Sequence, residues 1–457
     1  MTWTGTEAGV DRARIAQLLA AERARFAAAH PKALEFRHRA ELTMLYGVPM
    51  NWMTRWPGPA PIVAAEARGA EVEDIDGHRY VDFCLGDTGA MAGHAPGPVV
   101  EAVARQMGRG ATLMLPTEDA NWVAEELSRR FGMARWQFCL TATDANRFVL
   151  RLARQITGRQ VVVVHNWCYH GSVDETLASL DASGAVVRRA GSVGPALDVS
   201  AATRVVEIND LGALRRALAD RAVACVLVEP ALTNIGIVLP DPEYHRELRR
   251  ITRDTGTMLV IDETHTICAG PGGYTAREGL EPDFLTIGKT IGGGVPAAAY
   301  GMSAEVASSV IASTFWHDAD VGGIGGTLAG NALSLAAARA TLGEVLTDAA
   351  FEAMESVALR LTEGVRSVIA EFNVPWHITR LGCRAEYLFR PDPPRTGAEA
   401  AAGGDDELDG LIHLAMLNRG VLLTPFHNMA LMSPATTAAQ VDLHSRAFAE
   451  IVGELLG

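Results

Sequence analysis

The sequence has no CxxC pair and no cysteine–histidine spacing of the zinc-finger kind; its six cysteines (Cys84, Cys139, Cys168, Cys225, Cys268, Cys383) are scattered through 457 residues. This excludes a disulfide framework and gives no sign of a metal, so a reduced, cytoplasmic setting is expected. Positive charge is in short supply: the formal net charge is -14. Nucleic acid and anionic membrane surfaces are therefore excluded as main partners. No stretch reaches the roughly 18 uninterrupted apolar residues of a membrane helix. The N-terminal MTWTGTEAGVDRARIAQLLAAERARF lacks the apolar run of a signal peptide. Internal repeats and long low-complexity segments are missing too. What remains, 48% hydrophobic and 21% charged residues, describes an ordinary globular chain with a sizeable core. Its length suits two or three domains, or one large domain with a smaller lobe, and small molecules are the expected partners.

Residues 11–29 carry apolar side chains at helical spacing among Arg and Glu, which predicts a helix packed against a larger body. After a Pro/Gly-rich passage, EVEDIDGHRYVDFC reads as a hairpin turning at Asp76-Gly77. From about residue 96 the pattern changes to short apolar runs separated by helical stretches: WQFCL, VVVVHN, RVVEIN, ACVLVEP, MLVIDE, FLTIGK and AAAYGMS. Near-continuous apolar strands between helices predict a mostly parallel sheet of seven strands covered on both faces. A long helical pattern begins near Leu328. Beyond about residue 350, helices mix with the short strands AEYLFR and VLLTP, and PDPPRTGAEAAAGGDDELDG reads as a loop. The expected division is an N-terminal segment with part of a small α+β domain (1–95), a large α/β domain (96–345) and a C-terminal small domain (346–457).

The stretch TIGKTIGGG, Thr286 to Gly294, holds a glycine-lysine-threonine triplet. A phosphate loop of the GxxxxGK[ST] type needs its first glycine at Asp283, where a carboxylate repels phosphate, and its glycines before the lysine rather than after it. The other reading places Lys289 at the end of the strand FLTIG, as a lysine desolvated enough to act as a nucleophile toward carbonyls. A plain surface lysine is the alternative. LVIDETH puts Asp262 at the end of a buried strand, where open α/β sheets collect ligands and where a carboxylate can hold a protonated pyridine nitrogen; capping a helix is the other use of such a residue. TATDANRFVLRLARQITG starts a helix with Thr141, Ala142, Thr143 and Asp144, an arrangement suited to an anion as well as to simple capping. HNWCYHGSVDE offers Trp167, Tyr169 and His170 at another strand end, either to stack on a flat ring or as core groups.

In this order the motifs resemble the class-III aminotransferases, in particular the branch that includes glutamate-1-semialdehyde aminomutase, from about Tyr46 to the last helix. The resemblance implies the pyridoxal-5'-phosphate (PLP)-dependent transferase fold type I, an α/β large domain with a smaller α+β domain. It implies that Thr141, Ala142 and Thr143, where the family has SGTEA, bind the phosphate of PLP, and that Tyr169 and His170, in the YHG motif, lie at the ring. Glu229 and Asn234 match the glutamate-proline and Asn-x-Gly motifs beside the cofactor. Asp262 carries the pyridinium contact, Thr264 replaces a branched apolar residue on the ring face, and Lys289 is the Schiff-base lysine. Thr327, in GTxxGN, reaches the phosphate of the neighbouring subunit, which implies a homodimer with shared active sites.

The chain also departs from the pattern. Ala142 stands at the glycine of SGTEA, and Ala269 where several relatives place an arginine. Asn51-Trp52-Met53-Thr54-Arg55 stands where the aminomutase has NSPVR, which makes Arg55 a candidate carboxylate clamp. Trp52, Trp316, His265 and His427 are candidate pocket residues, with packing as their other reading. The expected activity is an aminotransferase passing an amino group from an amine or amino acid to an oxo acid, with Lys289 as base and acid. The alternative is an aminomutase or epimerase using the same residues. A non-catalytic module that kept the fold is a third reading, disfavoured by the presence of both Lys289 and Asp262.

Overall fold

The computed structural model describes residues 9–194, 198–313 and 322–457, so Trp316 lies outside the described residues. These fall into two compact units: the described residues of Met1–Pro96 with Ala349–Pro393 and Ala402–Gly457, and Gly97–Asp348 with Pro394–Ala401. In the first unit, helix α1 (Arg12–Ala29) starts on the Asp11 side chain, which accepts from Ala13 N. Pro31 at the first position of α2 (Pro31–Ala40) separates the two helices, a break the sequence reading does not anticipate. Strands β1 (Ala64–Arg68), β2 (Glu71–Asp74) and β3 (Arg79–Asp82) form an antiparallel meander, and the β2–β3 hairpin turns at Asp76-Gly77 as expected.

The second unit contains every strand expected of the large sheet. Helices α3 (Gly97–Met107) and α4 (Glu118–Phe131) lead into β4 (Arg135–Cys139), and α5 (Ala142–Thr157) follows. After β5 (Val161–His165) comes a small hairpin, β6 (Ala178–Leu180) with β7 (Val186–Arg188). The remaining strands are β8 (Thr203–Val206), β9 (Val223–Val228), β10 (Met258–Asp262), β11 (Phe284–Ile287) and β12 (Ala298–Met302). Their order in the seven-stranded sheet is β4-β12-β11-β10-β9-β5-β8. Only β12 runs against its neighbours, so the other six point the same way and their C-terminal ends share one edge. All six residues of β9 are fully buried, as a central strand covered on both faces requires. Each such aliphatic side chain contributes about 1.5–3 kcal/mol on burial, which fixes the sheet as a rigid platform.

Back in the first unit, β13 (His377–Leu381), β14 (Arg384–Leu388) and β16 (Met429–Leu431) make a three-stranded antiparallel sheet, while β15 (Val421–Leu422) joins β3 in parallel. The loop expected over 391–410 is corrected: it contains a helix at Gly397–Ala402, and a second, Asp406–Leu417, begins inside it. Asp405 caps that second helix by accepting from Leu408 N, so the acidic run is a helix start, not a turn. The helix expected from Leu328 begins at Ala332, with Asn331 as its cap.

Candidate active site

Four strand ends on the shared edge carry the side chains singled out by the sequence. Asp262 ends β10, Lys289 comes two residues after β11, Glu229 directly follows β9, and Tyr169 and His170 lie in the segment after β5. The start of α5 faces the same edge. Two glycines set this convergence. A Cβ at Gly288 would lie 3.0 Å from Ala142 Cβ and 3.1 Å from Ala142 N, so its absence lets the turn carrying Lys289 press against the first turn of α5. Gly171 (φ +77°) is tighter still: a Cβ there would come within 2.0 Å of Thr143 Oγ1, the atom that accepts from Ser172 N at 3.1 Å.

Asp262 is buried and well supplied with donors. Its Oδ2 accepts from His170 Nδ1 at 2.9 Å and from Asn146 Nδ2 at 2.8 Å, and its Oδ1 from Thr264 N at 3.0 Å. Burial alone would raise the carboxyl pKa, but the hydrogen bond and charge of His170, with Thr264 and Asn146, outweigh it and hold the group at about 2. The pair is therefore ionic. Burial works against the positive charge on His170, yet its contacts with Cys168 and Asp262 keep its pKa well above the ordinary histidine value.

Asn146, fully buried on α5, is a residue the sequence reading missed. It also donates to the His170 carbonyl at 3.2 Å and accepts from Thr286 Oγ1 at 2.7 Å, linking α5, β10, β11 and the segment after β5. A signal existed: Asn146 falls in the buried stripe shared with Val149 and Ala153, where an amide must find partners. Glu263 was missed as well. Its buried carboxylate accepts from Thr266 Oγ1, Tyr274 N and Thr275 N and so holds the 263–275 segment, while burial keeps its pKa raised.

Lys289 Nζ lies 2.8 Å from His265 Nε2. The sequence reading placed His265 as a pocket residue; the structure brings it to the lysine amine itself. Thr141 caps α5 from an exposed position, accepting from Asp144 N at 3.1 Å. Glu229 is buried, and burial raises its pKa while His170 opposes the rise; it accepts from Tyr169 N at 3.3 Å. Asn234 Nδ2 donates to the Trp167 carbonyl at 3.4 Å, and Thr327 is exposed. Trp52, Arg55 and His427 belong to the other compact unit. There Trp52 meets Phe426 edge-on at 5.9 Å, Arg55 is exposed, and His427 Nδ1 lies 3.3 Å from Glu386 Oε1.

This donor set suits a planar ring with a basic nitrogen, an aldehyde and a phosphate. An ionised, buried carboxylate is available for the nitrogen, a primary amine for the aldehyde, and the free N–H groups opening a 16-residue helix for the anion.

Comparisons with known proteins agree. The family model for class-III aminotransferases matches residues 52–452. Glutamate-1-semialdehyde 2,1-aminomutase of Desulfitobacterium hafniense is 34% identical over 84% of this chain and 89% of its own. A solved glutamate-1-semialdehyde-aminomutase from Pseudomonas aeruginosa, in complex with PMP, is 50% identical with a TM-score of 0.96, covering 98% of this chain and 100% of that one. An omega-transaminase from Sphaerobacter thermophilus is 28% identical with a TM-score of 0.84, covering 93% and 98% of the two chains.

Proposed function

Since the chain belongs to the class-III aminotransferases, PLP-dependent enzymes of fold type I, we propose that it moves an amino group between carbons of one small substrate, as an aminomutase does. The observation that carries this reading is the 50% identity, over nearly the whole chain, to the Pseudomonas aeruginosa aminomutase.

When bound, PLP supplies an electron sink for the charge left when a carbon loses its proton. In this reading Asp262 accepts the ring N–H and keeps it protonated, while His170 and Asn146 hold the carboxylate ionised and in place. Thr141, Ala142 and Thr143 hold the phosphate with the N–H groups that open α5. Tyr169, Thr264, Glu229 and Asn234 would hold the ring. Lys289 Nζ would hold the cofactor through its aldehyde and, as a free amine, would take a proton from the substrate carbon and return it. His265 Nε2, 2.8 Å from Nζ, is placed to exchange a proton with that amine.

A homodimer completes the site in this reading, Thr327 reaching the partner's phosphate position. Exposed Leu42, Leu45 and Tyr46, at 84%, 76% and 66% accessibility, support an interface. All six cysteines are buried and none forms a disulfide, which supports a reducing, cytoplasmic setting, and no helix among the described residues is long and apolar enough to cross a membrane.

A second reading, transfer to a separate oxo acid, is favoured by one observation: Asn51 to Arg55 departs in its middle from the NSPVR segment of the aminomutase. A single-turnover experiment separates the two. Holoenzyme is mixed, without a separate acceptor, with amino acids, β-amino acids and amines and with amines that carry an oxo group on a neighbouring carbon, and cofactor absorbance and product masses are followed. Isomerised amine with the cofactor back in its aldehyde form is the expected result. Accumulated pyridoxamine phosphate with stoichiometric oxo product would establish the aminotransferase instead.

A further inference from the structure

Where α1 ends and the β2–β3 hairpin turns, three ligating side chains converge: His30, Asp74 and His78 each offer an atom within 4.8 Å of the other two. His30 Nε2 lies 3.4 Å from Asp74 Oδ2, and His78 Nδ1 lies 3.3 Å from the same oxygen. A tetrahedron with metal–ligand bonds of about 2.0–2.1 Å has edges of about 3.4 Å, the spacing that zinc imposes on nitrogen and oxygen donors.

The surrounding hydrogen bonds aim the right atoms inward. His30 Nδ1 is 2.8 Å from the Phe26 carbonyl, which can only accept, so Nδ1 carries a proton and Nε2 is the nitrogen left to face the cluster. Asp74 Oδ1 accepts from Asp76 N and His78 N, both at 2.9 Å, which leaves Oδ2 for the same point. The Tyr80 hydroxyl lies 2.7 Å from both His30 Nε2 and Asp74 Oδ2. One hydroxyl proton cannot fill both contacts. The contact left unfilled lies where His30 and Asp74 are only 3% and 2% exposed, a place where an unsatisfied polar atom is costly. A metal cation at this point would fill the contact. The His78 side chain, 41% exposed, leaves a way in from solvent.

We propose that His30, Asp74 and His78 bind a divalent transition metal, Zn²⁺ by its preference for this two-imidazole, one-carboxylate set, with the Tyr80 oxygen adjacent as a fourth donor. The ion staples the end of α1 to the hairpin. Sequence spacing does not reveal the site, because one ligand comes from a helix end and two from a turn some 44 residues later, the separation of His30 from Asp74.

The test uses chelator-treated holoenzyme titrated with Co²⁺, whose visible bands report tetrahedral coordination, and then with Zn²⁺ as competitor. Expected are one tetrahedral equivalent per chain, displacement by Zn²⁺, and a rise in Tm with Zn²⁺. His78→Ala, at a partly exposed turn position, should weaken binding at least about tenfold while leaving activity and the metal-free Tm close to wild type. Absence of stoichiometric binding, or binding that His78→Ala leaves unchanged, overturns the proposal.

Discussion

Two carboxyl groups in the two compact units meet burial with opposite results. Asp262, in the unit built on the large sheet, is held at about 2, whereas Asp409, in the unit with the smaller sheets, is pushed up to about 7. Burial raises both. The difference lies in what faces them. Asp262 receives donors from a charged imidazole, an amide and a backbone N–H. Asp409 receives the Asn428 amide at 2.7 Å and otherwise lies in the field of Asp405, Asp406 and Glu386. His413, which donates to Asn428 at 2.9 Å, is itself kept neutral by burial, its pKa lowered to about 4. A buried acid is thus made charged or neutral by its neighbours rather than by its depth.

The contrast can be broken most strongly at Asp262. Asp262→Asn keeps an acceptor but removes the charge, and single-turnover rates should fall about 10²- to 10³-fold, the usual cost of losing a preorganised charge. Near-wild-type rates would mean that this carboxylate is structural. Next in size, Asn146→Ala strips donors from Asp262 and the acceptor of Thr286, at a cost of about 1–3 kcal/mol in urea-melt stability. An unchanged melt would show that water replaces the amide.

The pH dependences run in opposite directions. Asp262 has a lowered folded pKa, so its contribution to stability is complete above the ordinary carboxyl range and is lost as pH falls toward 2. His170→Gln should move that loss upward in pH, visible as acid unfolding at a higher midpoint; an unmoved midpoint would place the stabilising charge elsewhere. Asp409 has a raised folded pKa, so its contribution is complete below the ordinary carboxyl range and is lost as pH rises through about 7. Asp409→Asn, the smallest change, should flatten the decline in Tm over that window. A persisting slope would mean that another group causes it.

The sheet was legible because central strands such as Val223–Val228 leave apolar runs that nothing else explains. The 391–410 stretch was misread because Pro, Gly and Asp signal turns, yet Asp also caps helices, and only the following periodicity separates the two uses. At the site, strand-end residues such as Asp262 stood out by position. The contacts between them did not: His265 and Lys289 are 24 positions apart and Asn146 and Asp262 are 116 apart, so their pairing depends on which strands become neighbours.

Lys289 has a backbone φ of 52°, in the left-handed region that disfavours a side chain. A residue with a Cβ pays roughly 1 kcal/mol there, so the fold by itself would prefer glycine at this position. Lys289→Gly should therefore be more thermostable than Lys289→Ala, though neither retains the amine. Selection for the amine has kept the chain slightly below the stability its own backbone offers, a trade of endurance for reactivity located at one residue.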